Sequence, residues 1–101
     1  MDQLIFYVTE KQLHAGVPLY EWLLEEAKGL GILGGSAFRA MPPESGNGRL
    51  REETFFELAG ELAVKVEFIV DDKLAEQMLQ RVRAQSLEVF YVRYTVQSGI
   101  V

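Results

Sequence analysis

The chain has no cysteine, one histidine and no long hydrophobic run, and these absences exclude several classes of protein. Without cysteine, neither a disulfide framework nor a thiolate metal site can form. His14, the one histidine, has no clustered carboxylates at ligand spacing, so the sequence predicts no metal site. No segment reaches the ~20 consecutive apolar residues that span a bilayer. The first residues lack a basic start, an apolar run and a cleavage site, so we expect a cytoplasmic protein that is not membrane-embedded.

Positive charge is also scarce. The 10 Lys and Arg residues are outnumbered by 15 Asp and Glu residues, which gives a net charge of −5. Proteins that bind nucleic acid take most of their non-specific affinity from a basic face, so nucleic acid is not an expected partner. A local basic pocket for one small phosphorylated ligand is still compatible with this balance.

The sequence offers no set of catalytic residues. There is no thiol and His14 has no evident orienting acid, which excludes Cys–His and Ser–His–Asp arrangements. His14 is interpreted as a turn residue, with a ligand contact as the alternative. Trp22 lies off the apolar stripe of the first predicted helix, which indicates either a contact with another subunit or edge packing within the domain.

The sequence pattern predicts a strand–helix–strand unit twice, over residues 3–41 and 61–96. Apolar residues recur at helical spacing after Pro18 and again after Asp71, and β-branched and aromatic runs flank both helices. Right-handed crossovers then predict one domain over residues 1–101 with an α+β, ferredoxin-like βαββαβ fold: a four-stranded antiparallel sheet with two helices on one face.

Alternation along the strands predicts which side chains face away from the helices. In residues 62–70 and 87–96 the even positions are assigned to the helix side, and the odd positions to the other face. That face is too apolar for water and too charged for a core, so it is either an ordinary solvent face or an oligomer interface. We favour the interface, with charged pairs between subunits; its predicted residues are Tyr7, Lys65, Glu67, Ile69, Tyr91 and Arg93.

A long polar connection over residues 42–54 has no clear buried face and is predicted to be a flexible loop. Structureless connections of this length are uncommon in compact domains unless they serve a function. Arg49 and Arg51 lie in this loop and Arg39 precedes it, and guanidinium groups bind phosphate or carboxylate by paired hydrogen bonds. The Gly34-Gly35 pair permits a tight turn or a close backbone approach to a ligand. The candidate ligand-binding residues are Gly34, Gly35, Arg39, Arg49 and Arg51.

Three ordered blocks of residues carry a family resemblance. They are His14-x-Gly16-x-Pro18-Leu19-Tyr20, then Gly31-x-x-Gly34-Gly35-Ser36-x-Phe38-Arg39, and Glu61-Leu62-x-Val64-x-Val66-Glu67-x-x-Val70-Asp71. The chain resembles the bacterial and archaeal family known as domain of unknown function 190, which is similar in fold to the PII nitrogen-regulatory proteins.

The resemblance implies a homotrimer with its sheets turned toward the three-fold axis. It also implies that nucleotides or related small molecules bind in clefts between subunits, and that the loop at 42–54 contacts a transporter or enzyme partner. Only Ala84-Gln85-Ser86 stands where PII proteins have a phosphate loop, which argues against ATP and for a smaller or different ligand.

The function expected from the sequence is therefore a cytoplasmic, non-enzymatic, PII-like signalling or adaptor protein that binds a small anionic metabolite or nucleotide. No cofactor is assigned beyond that ligand. One alternative is a small enzyme of the acylphosphatase type, although its phosphate loop would lack arginine here. Others are an RNA-recognition module that stacks bases on Tyr7 and Tyr91, and a structural oligomer without a ligand.

Overall fold

The structure, a computed structural model, describes residues 1–39 and 63–101. In chain order the elements are β1 (Asp2–Thr9), β2 (Leu13–His14), β3 (Val17–Pro18), α1 (Leu19–Gly29), β4 (Gly35–Arg39), β5 (Ala63–Val70), α2 (Asp72–Ala84) and β6 (Phe90–Thr95). The predicted loop at 42–54, with Arg49 and Arg51, lies outside the described residues, and so does the side chain of Arg39.

Four of the strands form one sheet in the order β4-β5-β1-β6, and every neighbouring pair is antiparallel. α1 connects β1 to β4, and α2 connects β5 to β6. In both cases one other strand lies between the two connected strands in the sheet. This order and connectivity confirm the predicted α+β, ferredoxin-like class. The predicted turn after β1 contains a small hairpin, β2–β3, whose central residues Ala15 and Gly16 both have positive φ, at 54° and 83°. Two such residues make the type I′ turn that suits a two-residue hairpin.

Local hydrogen bonds cap the start of α2 and the end of α1. Asp71 caps α2, where its carboxylate accepts a 2.8 Å hydrogen bond from the Leu74 N–H. At the end of α1, the N–H of Gly31 donates to the Lys28 carbonyl and that of Ile32 to the Ala27 carbonyl, both at 3.0 Å. Gly31 has φ +87°, so the helix ends in a Schellman motif that returns Ile32 to the core.

The core lies between the two helices and one face of the sheet. Its largest buried side chains come from alternate positions of β1 and β5 and from the inner faces of the helices: Leu4, Phe6, Val8, Val64, Val66, Phe68, Leu19, Leu23 and Met78. Phe6 and Phe68 meet edge to face, with ring centroids 6.4 Å apart. The predicted alternation is therefore confirmed over residues 63–70, and Leu62 lies outside the described residues.

The predicted alternation in β6 is wrong by one residue. Tyr91 is paired with Phe6 and Arg93 with Leu4, so both lie on the helix side of the sheet, where Val89 also packs against the core. Phe90 and its alternate neighbours lie on the helix-free side. The reason is that β6 has large apolar or aromatic residues at both its odd and its even positions, so alternation alone does not distinguish the two faces. Arg93 was assigned outward because it is charged, yet it is neutralised on the helix side.

Candidate functional site

The helix-free side of the sheet, which we name the open face, consists of side chains in register across the strands. Its first row crosses all four strands and contains Phe38, Lys65, Tyr7 and Phe90. The second row contains Ser36, Glu67, Ile5 and Val92, and the third contains Ile69, Gln3 and Tyr94. Tyr7, Lys65, Glu67 and Ile69 therefore lie on the face to which the sequence assigned them.

Large apolar side chains on the open face are half exposed at its margins and buried at its centre. Phe38, Phe90 and Tyr94 expose 52%, 51% and 52% of their surfaces and Ile69 exposes 44%, whereas Ile5 in the central strand exposes only 5%. Several large exposed apolar side chains on one face, interrupted by few charges, are typical of an interaction site. The open face is thus the strongest candidate surface among the described residues.

The charges on the open face pair within one chain. Lys65 Nζ lies 3.1 Å from Glu67 Oε2, and Gln3 Nε2 donates to Glu67 Oε1 at 3.5 Å. The Lys65 ammonium also lies 5.8 Å from the centroid of the Phe38 ring, within the range of a cation–π contact. The sequence had predicted that these charges pair between subunits, and the structure gives Lys65 and Glu67 a partner in each other.

Arg93, predicted in the same interface, instead ties three elements together on the helix side. Its Nε donates to Asp2 at 2.8 Å, its Nη1 to Glu76 at 2.6 Å, and its Nη2 to the Asp72 carbonyl at 3.3 Å. The hydrogen bonds to Glu76 and Asp2 raise the pKa of Arg93 above its ordinary value. The network uses three N–H donors of the guanidinium and links β6 to β1 and α2, which is a structural role.

The ends of the strands define a second feature, which we name the loop end of the sheet. There β1 ends at Thr9, β4 ends at Arg39, β5 begins at Ala63 and β6 begins at Phe90. β4 therefore ends, and β5 begins, beside the first row of the open face. Thr9 is also on this face, and its hydroxyl is buried without a hydrogen-bond partner among the described residues.

The structure does not bring the two predicted glycines together with Arg39. Gly35 begins β4 and Arg39 ends it, so they are separated by about 13 Å at ~3.3 Å per residue. A Cβ on Gly35 would lie 2.5 Å from Cε1 of Phe68, whereas one on Gly34 would have no atom within 4 Å. Gly35 is thus required by the packing of Phe68 and needs no ligand to explain it.

His14 and Trp22 form a small cluster near the loop end. The His14 ring meets Trp22 edge on at 4.9 Å, and its Nε2 lies 3.0 Å from Oε1 of Gln85. Trp22 also packs against the core, which supports the interpretation of edge packing within the domain. Within residues 1–39 and 63–101 no group of three or more His, Cys, Asp or Glu side chains could hold a metal ion.

Phe38 and Phe90 were missed by the sequence reasoning as candidate site residues. Phe90 was assigned to the core because of the error in β6. Phe38 precedes Arg39 in the second motif block, and this position next to a predicted ligand-binding residue could have identified it as a candidate. The RNA interpretation loses Tyr91, because that ring lies on the helix side.

The geometry defines a ferredoxin-like domain with an exposed apolar sheet face beside a long inter-strand segment, which is a PII-like architecture. The sequence profile of the DUF190 family, described as an "Uncharacterized ACR", matches residues 1–97. The chain belongs to this family, as the motif blocks predicted.

Two individual proteins are similar to this chain, one in sequence and one in fold. A UPF0166 protein of Aquifex aeolicus (strain VF5) is 29% identical over 79 residues, which cover 78% of this chain and 75% of that protein. A crystal structure from Thermus thermophilus, described as a "putative PII-like signaling protein", superposes with a TM-score of 0.56 at 23% identity. The match covers 92% of this chain and 83% of the Thermus chain, and at this identity it shows a shared fold. Neither helix in the described parts of this chain is long and apolar enough to cross a bilayer.

Proposed function

We propose that the protein is a non-enzymatic, PII-like homotrimer of the cytoplasm that senses a small anionic metabolite or nucleotide. The ligand binds between subunits at the loop end of the sheet, with Arg39 and either Arg49 or Arg51 as its anion-binding residues. Ligand binding changes how the segment at 42–54 contacts a transporter or enzyme partner, and this change is the signal. Gly34 and Gly35 are not retained in the site, because they lie at the other end of β4.

The observation that carries this proposal is the open face itself. Half-exposed aromatic and aliphatic side chains at its margins surround a buried centre, and monomeric proteins seldom leave such a patch in water. A second copy of the chain is the natural cover, because its own open face has the same apolar character. The PII-like fold and the family membership support a three-fold arrangement.

The assembly is tested by measuring the mass of the protein in solution. We expect about 34 kDa, three times the 11.4 kDa of one chain. Ile69→Lys places a charge on the open face and should dissociate the assembly, because an unpaired charge is costly to bury. Leu33→Lys is the matched control: Leu33 is fully exposed and lies outside the sheet, so its substitution should leave the mass unchanged. A monomeric mass for the unchanged protein would contradict the proposal.

Ligand binding is tested by melting the protein with millimolar nucleotides and small anions. A ligand at 100 times its Kd stabilises the folded state by about 2.7 kcal/mol, which raises the melting temperature measurably. Arg39→Met should abolish the shift, whereas Arg83→Met, an exposed arginine at the end of α2, should not. A trimer that responds to none of these compounds would favour the structural oligomer without a ligand.

A further inference from the structure

β6 is an edge strand, and its outer backbone groups have no strand beside them among the described residues. The sheet order is β4-β5-β1-β6, so within residues 1–39 and 63–101 β6 pairs with β1 alone. In an antiparallel pair, residues that exchange hydrogen bonds with the partner strand alternate with residues whose N–H and C=O point the other way. The N–H of Val96 donates to the Met1 carbonyl at 2.9 Å, and this bond fixes the alternation along β6.

Three residues of β6 therefore direct both of their backbone groups to the free edge. Even-numbered residues of the strand share the orientation of Val96 and bond to β1, whereas Tyr91, Arg93 and Thr95 point outward. These three residues present their N–H donors and carbonyl acceptors over about 13 Å of edge, at ~3.3 Å per residue. A row of this kind is a template for the pairing of a further strand.

The free edge of β6 has few of the features that prevent strand addition. Natural edge strands are commonly guarded by proline, by lysine or by a bulge. Residues 90–101 contain neither proline nor lysine, and β6 pairs with β1 in an unbroken register from Phe90 to Thr95. The charged side chain within the strand, Arg93, is bound on the helix side by Asp2 and Glu76. Its guanidinium is thus engaged within the chain.

A negatively charged depression adjoins this edge on the helix side of the sheet. It has a volume of about 640 Å³ and is lined by Met1, Asp2, Asp71, Asp72, Arg93 and Thr95. The guanidinium of Arg93 is paired with Asp2 at 2.8 Å. Neither Asp71 nor Asp72 forms an ion pair with another described residue. The depression is therefore suited to a cationic side chain.

We propose that the free edge of β6 binds an extended segment of a partner protein as an added antiparallel strand, with a lysine or arginine side chain of that segment in the depression. A segment residue directly opposite Thr95 exchanges backbone hydrogen bonds with it, and the two side chains lie on the same side of the sheet. That is the helix side, because Thr95 pairs with Asp2 and lines the depression with it. Backbone pairing supplies affinity, and the charge supplies selectivity.

This surface is distinct from the open face. The outward backbone groups lie in the plane of the sheet, and the depression lies on the side of the helices. The inference therefore goes beyond the proposed function and does not need the ligand site at the loop end.

The test uses synthetic peptides and the full-length protein, with binding measured by fluorescence anisotropy. The probe is acetyl-Ser-Lys-Val-Thr-Val-Thr-Ser-amide with a fluorophore, in which the lysine and the threonines share one side of an extended strand. N-methylation of these three residues removes the N–H groups that face β6 and should weaken binding at least tenfold. N-methylation of the two valines, whose N–H groups face away, is the matched control and should leave the affinity unchanged. A probe with glutamate in place of lysine should bind at least tenfold more weakly.

Variants of the protein test the same two contacts. Thr95→Pro removes an outward N–H that β1 does not use, so the variant should melt at the temperature of Thr95→Val. The proline variant should bind the lysine probe roughly tenfold more weakly than the valine variant, which keeps the N–H. Asp72→Asn should weaken binding about 2- to 5-fold, whereas Glu25→Gln, an exposed carboxylate on α1, should have no effect.

Hydrogen exchange locates the added strand directly. Probe binding should slow exchange of the backbone N–H groups of Tyr91 and Arg93 at least tenfold, because these donors gain partners. The N–H of Val92, which is already bonded to β1, should change little.

Several results would overturn this inference. They are equal losses of affinity from the two patterns of N-methylation, equal affinities of the lysine and glutamate probes, and equal affinities of Thr95→Pro and Thr95→Val. If the lysine probe does not bind at millimolar concentration, the edge is not available to a partner, as it would be if a second copy of the chain occupied it, and the inference is wrong. None of these results decides the proposed function, which is tested by mass in solution and by melting with nucleotides and small anions.

Discussion

Replacing Gly35 with alanine is the sharpest test of the packing described here. Gly35 pairs with Phe68 across β4 and β5, and Phe68 exposes only 2% of its surface and packs against Phe6. An added Cβ would lie 2.5 Å from Cε1 and 2.8 Å from Cδ1 of the Phe68 ring, and 3.5 Å from a methyl carbon of Leu24. Ordinary carbon contacts are near 3.5–4.0 Å, so the ring or the strand has to move by about 1 Å.

The expected loss of stability follows from two opposing terms. Overpacking of a close-packed core costs about 1–3 kcal/mol, because the ring cannot move without disturbing Phe6. Alanine recovers up to about 1 kcal/mol by restricting the unfolded chain. The net destabilisation is therefore about 0–2.5 kcal/mol relative to the unchanged protein. Relative to a glycine-to-alanine change without a clash, the full cost of about 1–3 kcal/mol remains, which corresponds to a difference of roughly 5–20 °C in melting temperature for a domain of this size.

Gly34→Ala is the matched control, because its Cβ would meet no atom within 4 Å. The melting temperatures should be compared at one chain concentration, since assembly adds to apparent stability. Phe68→Leu should partly rescue Gly35→Ala, with the double variant less destabilised than the sum of the single variants. If Gly35→Ala melts within about 2 °C of Gly34→Ala, well inside the expected decrease, the packing argument is wrong, and a ligand role for Gly35 regains its force.

Three further substitutions test individual features of the fold. Asp71→Ala removes the cap of α2 and should lower the free energy of unfolding by about 1 kcal/mol in urea titration, whereas the neighbouring Lys73→Ala should change it little. Ala15→Asn should raise that free energy by a few tenths of a kcal/mol, since asparagine tolerates the positive φ of 54° better than alanine. Arg93→Met should lower the melting temperature, because it leaves the nearly buried Asp2 carboxylate without its cation. Because the pKa of Arg93 is raised, its bonded, charged form persists until the pH passes far above neutral, so the decrease should be equal at about pH 7 and about pH 9; a smaller decrease at the higher pH would contradict this assignment.

The fold was predictable because many residues in each strand and helix indicate the same buried face. In β5 the charged residues Lys65 and Glu67 alternate with Val64, Val66 and Phe68, so only one face could be buried. The helices carry comparable apolar stripes with local start and stop signals, such as Asp71 and Gly31. An error at any one position would not have changed the topology, since the neighbouring positions carry the same information.

The site was less predictable because it depends on single residues and on partners distant in sequence. Gly35 was interpreted as a ligand-facing glycine, and the atom that explains it belongs to Phe68 in another strand. The prediction of which β6 side chains face the helices was wrong for a related reason. Arg93 resembles a solvent-exposed residue in the sequence, and its partners Asp2 and Glu76 are distant along the chain. Alternation assigns a charged side chain outward by default, and a partly exposed ion-pair network on the helix side reverses that default.

The distribution of exposure on the open face bears on how assembly and ligand binding could share it. Its centre, at Ile5, is already covered by the sheet's own side chains, so further burial is gained mainly at the margins. Ile69 and Tyr94 lie in the third row, furthest from the loop end, and Phe38 and Phe90 lie in the first row. If the proposed assembly forms through the third row, Ile69→Lys should dissociate it, whereas Phe38→Leu, at the opposite end of the open face, should leave its mass in solution unchanged.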